Sequence, residues 1–209
     1  MSLMSLPRLA SLAAAIVLPA TLLHAAVPPP AEVPGQASLT GQLLIAAPTM
    51  GDPRFQHTVI LMVRHDRNGA LGIVINRPLG DRPLATILQA LGETDTAVAG
   101  QVRIFAGGPV QPEIGFVVHS AEYQTADTLD IDGRVALTIA PEVLRDIGLD
   151  KGPRKSLAAF GYAGWAPAQL DNELAHGVWI TMPEDPALVF DDDRAKLWDD
   201  LRARQKTGR

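Results

Sequence analysis

Cysteine is absent from the 209-residue chain, which excludes a disulfide framework, thiolate metal sites, a cysteine nucleophile and a lipid-modified cysteine anchor. Aromatic residues are scarce at 5%, and the longest apolar run is shorter than the ~20 residues that span a bilayer. Basic residues are in deficit, 18 against 23 acidic ones, and the net charge of −5 argues against non-specific binding to nucleic acid. Hydrophobic residues reach 47%, a proportion typical of a globular protein.

The first 38 residues are predicted to lie outside the folded domain. Leu9 to Leu23 is an uncharged run that matches the core of a secretory signal peptide, and small alanines follow it. Residues 1–26 are interpreted as a signal-peptide-like leader, 27–38 as a proline-rich linker and 39–209 as one folded domain. Cleavage would give an exported, periplasmic protein without a stable membrane span. A retained anchor, or a start assigned too far upstream on a cytoplasmic protein, are the alternatives.

Short apolar segments separated by turn residues predict a sheet. Thr58–Val63 and Ala70–Asn76 are apolar on both alternating faces, which predicts a central hairpin that is covered on both sides and ended by Pro78. The Asp132-Gly133 pair predicts a second hairpin. Further strands are predicted at Leu43–Ala47, Val102–Phe105, Phe116–His119, Thr128–Ile131, Arg134–Ile139, Leu157–Phe160 and Val178–Thr181. A turn at Gly107-Gly108-Pro109 is expected to join the two strands beside it.

Helices are predicted where apolar residues recur at helical spacing. Leu84–Leu91 and Pro141–Ile147 each have proline near the first turn, and a helical turn is expected around Pro167–Leu174. A last helix is predicted from Asp191 to Lys206, because its acidic start and basic end both suit the helix dipole. Helices mixed irregularly with short strands predict a single domain of the α+β class.

No catalytic signature is complete in the sequence, so no catalytic residue, metal ion or cofactor is predicted. The Lys155-Ser156 pair, for example, lacks the glycine that precedes it in a phosphate loop. The enzymatic alternative is a hydrolase or transferase that uses His65 or His119 as general base, with Asp52 or Glu113 nearby. His65 and His119 together are also a weak candidate for a metal site.

A second alternative is a DNA-associated transcriptional regulator. Basic residues cluster in the predicted terminal helix, but three aspartates begin that helix and two more lie inside it. This pattern is typical of a solvated amphipathic face, and no direct contact with nucleic acid is predicted.

Stiff, irregular loops are the most distinctive feature of the chain, and Gly161–Trp165 is predicted to be one of them. Glycine permits unusual backbone conformations and proline fixes φ, while arginine forks and amphipathic rings are common in recognition hot spots. The alternative, tight turns whose arginines bond nearby carbonyls, stays open. The candidate residues for binding a ligand or partner are Asp52, Arg54, Asn76, Arg77, Gly107, Gly108, Tyr162 and Trp165.

Several of these segments resemble the YqgE/AlgH family. The motifs, in chain order, are Leu39-Thr40-Gly41, Ala47 to Phe55, Gly69 to Pro78, Phe105 to Val110, Gly115 to Ser120, and Gly161 to Trp165 with Gln169-Leu170. The resemblance runs from about Leu39 to Trp198, some three-quarters of the chain. It implies an α+β fold with a bent, bifurcated, mostly antiparallel sheet that approaches a pseudo-barrel, flanked by helices. It implies no established enzymatic activity.

The chain departs from the family pattern in three places. The family has glutamate at the Asp171 position and more glycine after Trp165, and a polar pair often precedes Trp179. Most relatives also begin near Leu39 and look cytoplasmic. Some members are called transcriptional regulators, a label that the charge balance here does not support. We therefore hypothesise a non-enzymatic binding or regulatory module whose loops contact an unknown protein or small ligand.

Overall fold

The central hairpin predicted from the sequence is present in the computed structural model, which describes residues 37–94, 97–139 and 141–206. The predicted leader and most of the linker lie outside these ranges. From Ala37 onward the chain forms one compact unit. Within the ranges that the structure describes, no helix is both long and apolar enough to cross a membrane.

Ten strands and five α-helices are formed by the described residues. The strands are β1 (Gln42–Ala46), β2 (Val59–Asp66), β3 (Gly69–Val74), β4 (Pro78–Pro83), β5 (Gln101–Ala106), β6 (Val110–Ser120), β7 (Leu129–Asp130), β8 (Val135–Ile139), β9 (Ser156–Trp165) and β10 (Trp179–Pro183). The helices are α1 (Leu84–Ala90), α2 (Glu142–Gly148), α3 (Gln169–Ala175), α4 (Pro186–Val189) and α5 (Leu197–Lys206), with a 3-10 turn at Arg194–Lys196 before the last.

Strand β9 is the branch point of the sheet. One edge of β9 pairs with β6. The opposite edge pairs with β5 in parallel at Ala158–Phe160 and with β3 in antiparallel at Ala163–Trp165. The main strand order is β10-β1-β2-β3-β9-β6-β8-β7, with β4 attached to β5. The result is a curled, bifurcated and mostly antiparallel sheet that forms a half-barrel, as the family resemblance implied.

Both faces of the sheet are covered, which explains the apolar residues on both sides of β1 and β2. Leu43 and Ile45 belong to the main core inside the curl, where α5 contributes Leu197 and Leu201. Alternate residues of the same strands point to a second cluster, which includes Trp165, Leu170 and Trp179 beside α3. A third cluster lies under α1 and α2. Because side chains alternate along a strand, these buried layers fix its register.

The Gly107-Gly108-Pro109 turn joins β5 and β6, as predicted, but these two strands lie on opposite edges of β9 and do not pair with each other. Two other sequence predictions are wrong. Gly161–Trp165 is not a loop but the second half of β9. Pro78 does not end the second strand of the central hairpin, which stops at Val74, but begins β4, an edge strand that tolerates proline at its ends.

The last predicted helix ends at Lys206, as expected, but its start differs from expectation. The aspartates at 191–193 precede a 3-10 turn, and the α-helix itself begins at Leu197. The sequence analysis missed α4, a single turn. Its start is set by Asp185, whose side chain accepts a hydrogen bond from the Ala187 N–H at 2.9 Å, and by Pro186 at the first helical position.

At the branch point, glycines allow the segment between β5 and β6 to cross β9 with the two backbones in direct contact. The Gly107 N–H donates to the Phe160 carbonyl at 2.7 Å, and the Gly107 carbonyl accepts from the Val74 N–H at 2.8 Å. A Cβ on Gly107 would overlap the Gly161 carbonyl, and a Cβ on Gly108 would overlap the carbonyl group of Tyr162. Gly161 itself has a φ of +73°, the left-handed region that glycine favours. We call this contact the glycine crossing.

Gly108→Ala is expected to destabilise the fold by more than about 3 kcal/mol, because the overlapping atoms belong to backbone and cannot rotate away. Urea unfolding followed by circular dichroism measures the loss. Gly51→Ala is the matched control, since a Cβ at Gly51 meets nothing within 4 Å. Equal stability of the two variants would contradict the crossing as described.

Two acids lie close together where the turn between β7 and β8 meets the end of β10. The Glu184 side chain is fully buried at the end of β10, and its Oε1 lies 2.7 Å from Nη2 of Arg134. Asp132 accepts hydrogen bonds from the backbone N–H groups of Arg134 and Val135. Burial, with the neighbouring Asp132 carboxylate, raises the pKa of Glu184 to about 8. Burial opposes ionisation of Asp132 too, but its hydrogen bonds, first that with Glu184, hold the Asp132 pKa below its usual value.

The contribution of Glu184 to stability is expected to fall between about pH 5 and pH 8. The unfolded chain releases this proton near pH 4.5, whereas the folded protein keeps it to about pH 8, so rising pH favours unfolding. The measurement is the unfolding free energy of wild type minus that of Glu184→Gln at each pH in this range. Titration of groups that behave alike in both proteins cancels in this difference. A difference that stays constant with pH would show that Glu184 is ionised in the fold.

Candidate functional site

A cleft of about 380 Å³ lies where the segment before β2 meets the end of β9, α3 and the start of β10. It is lined by Met50, Gly51, Asp52, Arg54, Phe55, Pro109, Val110, Gly164, Trp165, Gln169, Glu173, Val178 and Trp179. A volume of this size is at the lower end of small-molecule sites. A more open depression of about 510 Å³ adjoins it and shares Gln169, Glu173 and Val178. We call the first of these the aromatic cleft.

Three rings and one carboxylate organise the aromatic cleft. Trp165 and Trp179 meet edge to face with their ring centroids 6.0 Å apart, and Phe55 meets Trp179 in the same way at 5.8 Å. Oε2 of Glu173 accepts both indole N–H groups, from Trp165 at 2.9 Å and from Trp179 at 2.7 Å. Gln169, one helical turn earlier, donates to Oε1 at 2.9 Å. Each indole is therefore fixed by a charged hydrogen bond as well as by packing.

An ion pair lies at the mouth of the cleft. Nη2 of Arg54 lies 2.7 Å from Oδ2 of Asp52, and the Arg54 side chain is 66% exposed. The hydrogen bonds from Arg54 lower the pKa of Asp52, so Asp52 is ionised at neutral pH. The Arg54 guanidinium also lies over the Phe55 ring, 5.9 Å from its centroid. These contacts make the mouth of the cleft polar and leave its interior apolar.

Asn76 and Arg77 do not line the aromatic cleft but hold the segment that does. The Asn76 side chain accepts from the Val59 N–H at 2.9 Å and donates to the His57 carbonyl at 2.8 Å. Arg77 donates to the carbonyls of Arg54 and Gln56, the latter at 2.9 Å. This geometry matches the alternative left open by the sequence, in which an arginine bonds nearby carbonyls of a tight turn.

The remaining candidates divide between the crossing and the cleft. Gly107 and Gly108 form the glycine crossing, directly before Pro109 at the edge of the cleft. Tyr162 packs edge to face on Phe116, with centroids 6.1 Å apart, on the side of β9 that faces the main core. The structure thus brings Asp52, Arg54 and Trp165 together in the cleft and places the other five candidates around it.

Among the ten cleft residues that were not candidates, Glu173, Gln169 and Trp179 matter most, because their hydrogen bonds organise the cleft. The sequence does contain a pattern that points to a polar site on this helix. Gln169 and Glu173 are four residues apart on the predicted helix, so their side chains share one face. Tryptophans also stand on both sides of that helix. By contrast Asp171, the departure from the family pattern, faces elsewhere, with Oδ1 3.3 Å from Nε2 of His65.

The histidines of the enzymatic alternative are engaged in separate places. His119 is fully buried, with Nδ1 3.0 Å from the Ser120 carbonyl and Nε2 2.8 Å from the Thr138 hydroxyl. Burial lowers the pKa of His119. His65 accepts from the Leu39 N–H and contacts Asp171, while Glu113 is exposed on β6. Among the described residues, no group of three or more metal-ligating side chains could hold an ion.

The basic residues of the terminal segment have partners within the fold. Arg194 is buried, donates to the Val189 carbonyl at 2.8 Å and lies over the Phe105 ring. Lys196 pairs with Asp193 at 2.6 Å, on the same turn. These contacts account for two of the basic side chains on which the DNA-associated alternative depends.

The fold and cleft define a class of protein: an α+β half-barrel with an aromatic-lined cleft of the size of a small ligand. The chain belongs to the AlgH-like family, whose sequence profile matches residues 43–208. It is 47% identical over 153 residues to a UPF0301 protein of Rhodospirillum rubrum, covering 73% of this chain and 80% of that relative. It is 41% identical over 190 residues to a UPF0301 protein of Afipia carboxidovorans, covering 87% and 90%.

Solved structures share the fold. The solution structure of the AlgH protein from Pseudomonas aeruginosa superposes with a TM-score of 0.68 at 37% identity, covering 84% of this chain and 92% of that one. A Corynebacterium diphtheriae protein superposes with a TM-score of 0.61 at 21% identity, covering 82% and 88%, which shows a common fold alone. The names of these relatives state no activity.

Arg77→Ala is expected to lower the unfolding free energy by about 1–3 kcal/mol, because it leaves two carbonyls of the 54–56 turn without their donor. Urea unfolding measures this loss. Arg64→Ala is the control: Arg64 is 60% exposed and lies 3.7 Å from Asp66, so its removal is expected to change stability by less than about 0.5 kcal/mol. Equal effects of the two substitutions would mean that Arg77 does not hold the turn.

Proposed function

We propose that this protein is a non-enzymatic binding module that accepts a small ligand in the aromatic cleft. The observation that carries the proposal is the arrangement of Phe55, Trp165 and Trp179 around a cavity of about 380 Å³. Concave apolar surfaces with a few convergent polar groups are the usual form of a ligand site.

Preorganisation of the cleft supports this function. The two indoles are fixed by Glu173, the carboxylate by Gln169, and the 54–56 turn by Arg77. Groups that are already held in place lose little conformational freedom when a ligand binds, and the affinity gains accordingly.

The chemistry of the lining also favours binding over catalysis. The lining of the cleft has two carboxylates, Glu173 and Asp52, the second paired with Arg54, but no histidine, serine, threonine, lysine or cysteine. The hydrolase or transferase of the alternative needs its general base at the reacting centre. His65 and His119, the bases of that alternative, bond to groups elsewhere in the fold.

The test is a fragment screen by NMR with a library of cationic, neutral and anionic compounds, using the indole N–H signals as reporters. The chain has three tryptophans. Compounds that bind the cleft are expected to shift the signals of Trp165 and Trp179. They should leave Trp198 unchanged, because its N–H donates to the Ala46 carbonyl at 2.8 Å, outside the cleft lining.

Phe55→Ala is expected to weaken the best fragment by about five-fold or more, since it removes part of the wall. Leu129→Ala is the control, because Leu129 is an exposed apolar side chain on β7 that does not line the cleft. The proposed function is wrong if every bound fragment shifts only the signals of residues outside the cleft, or if no fragment binds at millimolar concentration.

A further inference from the structure

Among the ion pairs formed by residues 37–94, 97–139 and 141–206, none involves the carboxylate of Glu173. At the mouth of the cleft Arg54 is already paired with Asp52. Because the charges of Arg54 and Asp52 cancel, the Glu173 carboxylate leaves the lining of the aromatic cleft with one uncompensated negative charge. A charge in a partly desolvated, apolar site favours a ligand of opposite sign more strongly than it would in water.

Glu173 also keeps unused acceptor capacity. Two carboxylate oxygens can accept about four hydrogen bonds. Three are made, two by the indole N–H groups at Oε2 and one by Gln169 at Oε1. The position left on Oε1 suits a single N–H donor, which an ammonium group supplies without displacing either indole.

Aromatic walls complete a site for a cation. Trp165, Trp179 and Phe55 all line the same cavity as the Glu173 carboxylate. The faces of aromatic rings attract cations, most strongly those of tryptophan, and ligands with ammonium groups are commonly bound in such cages. The Arg54 guanidinium, 5.9 Å from the Phe55 ring centroid, shows that a cation already lies against one of these walls.

We propose that the aromatic cleft binds a small organic ammonium ion, with its charged nitrogen donating to Glu173 and its hydrocarbon part against the aromatic side chains that line the cleft. This inference rests on the proposed function and adds the chemical class of the ligand. Its basis is the free position on the carboxylate, the missing counter-charge and the three rings.

The test compares probes of similar shape and different charge on the full chain at pH 7. Phenethylammonium and n-butylammonium are the cations, 2-phenylethanol is the neutral probe and 3-phenylpropionate the anion. Titrations follow the Trp165 and Trp179 indole signals, with Trp198 as internal reference. At least one cation is expected to bind about ten-fold or more tightly than the neutral probe, and the anion is expected not to shift these signals.

Glu173→Gln is expected to weaken cation binding by about ten-fold or more beyond any change in the binding of 2-phenylethanol, which reports the disturbance of the indole hydrogen bonds alone. Glu142→Gln, the same change at an exposed position on α2, is the control and is expected to bind like wild type. The comparison of probes on the wild-type protein needs no variant, so it remains decisive if Glu173→Gln fails to fold.

The outcomes separate this inference from the proposed function. If the neutral or anionic probe shifts the two cleft indoles as strongly as the cations, the cleft binds ligands and the preference for cations is overturned. The preference is also overturned if neither cation shifts the signals at 20 mM, or if Glu173→Gln binds them unchanged. If, in addition, no library fragment reaches the cleft, the proposed function itself is wrong.

Discussion

The contact between two backbones at the glycine crossing is the constraint on which the rest of the structure depends. Gly107 and Gly108 lie against Gly161 and Tyr162 with no room for a Cβ between them. Because the chains approach so closely, β9 can exchange one neighbour for another along the same edge, from β5 to β3. The sheet therefore branches and curls around its main core instead of continuing flat.

The crossing also determines where the cleft forms. Beyond it, β9 continues to Trp165 beside β3, and α3 follows within a few residues. Pro109, immediately after the glycines, lies at the edge of the cleft. One tight backbone contact thus places an indole, a helix and a rigid loop around the same cavity. Glu173 then orients both indoles through their N–H groups.

The sequence predicted local elements better than their connections. The hairpin of β2 and β3 was confirmed, because both strands are covered and the turn at 66–69 is short. The pairing of β9 with β5, β6 and β3 could not be predicted, since it depends on contacts between residues far apart in the chain. Glycine-rich segments predict loops, but Gly161 lies within strand β9, at the point where another backbone crosses it. Because the cleft is built from segments that are far apart in the chain, only three of the eight candidate residues line it, and Glu173 was not among the candidates.

Native-state hydrogen exchange tests the central claim about the glycine crossing most directly. The Gly107 N–H, which donates to Phe160, and the Val74 N–H, which donates to Gly107, are both internal to it. If the crossing holds the sheet together, both amides exchange only through global unfolding, with the same free energy as the slowest amides of β2. Exchange of these two amides through a local opening at much lower free energy would show that the sheet stands without the crossing, and would contradict the account.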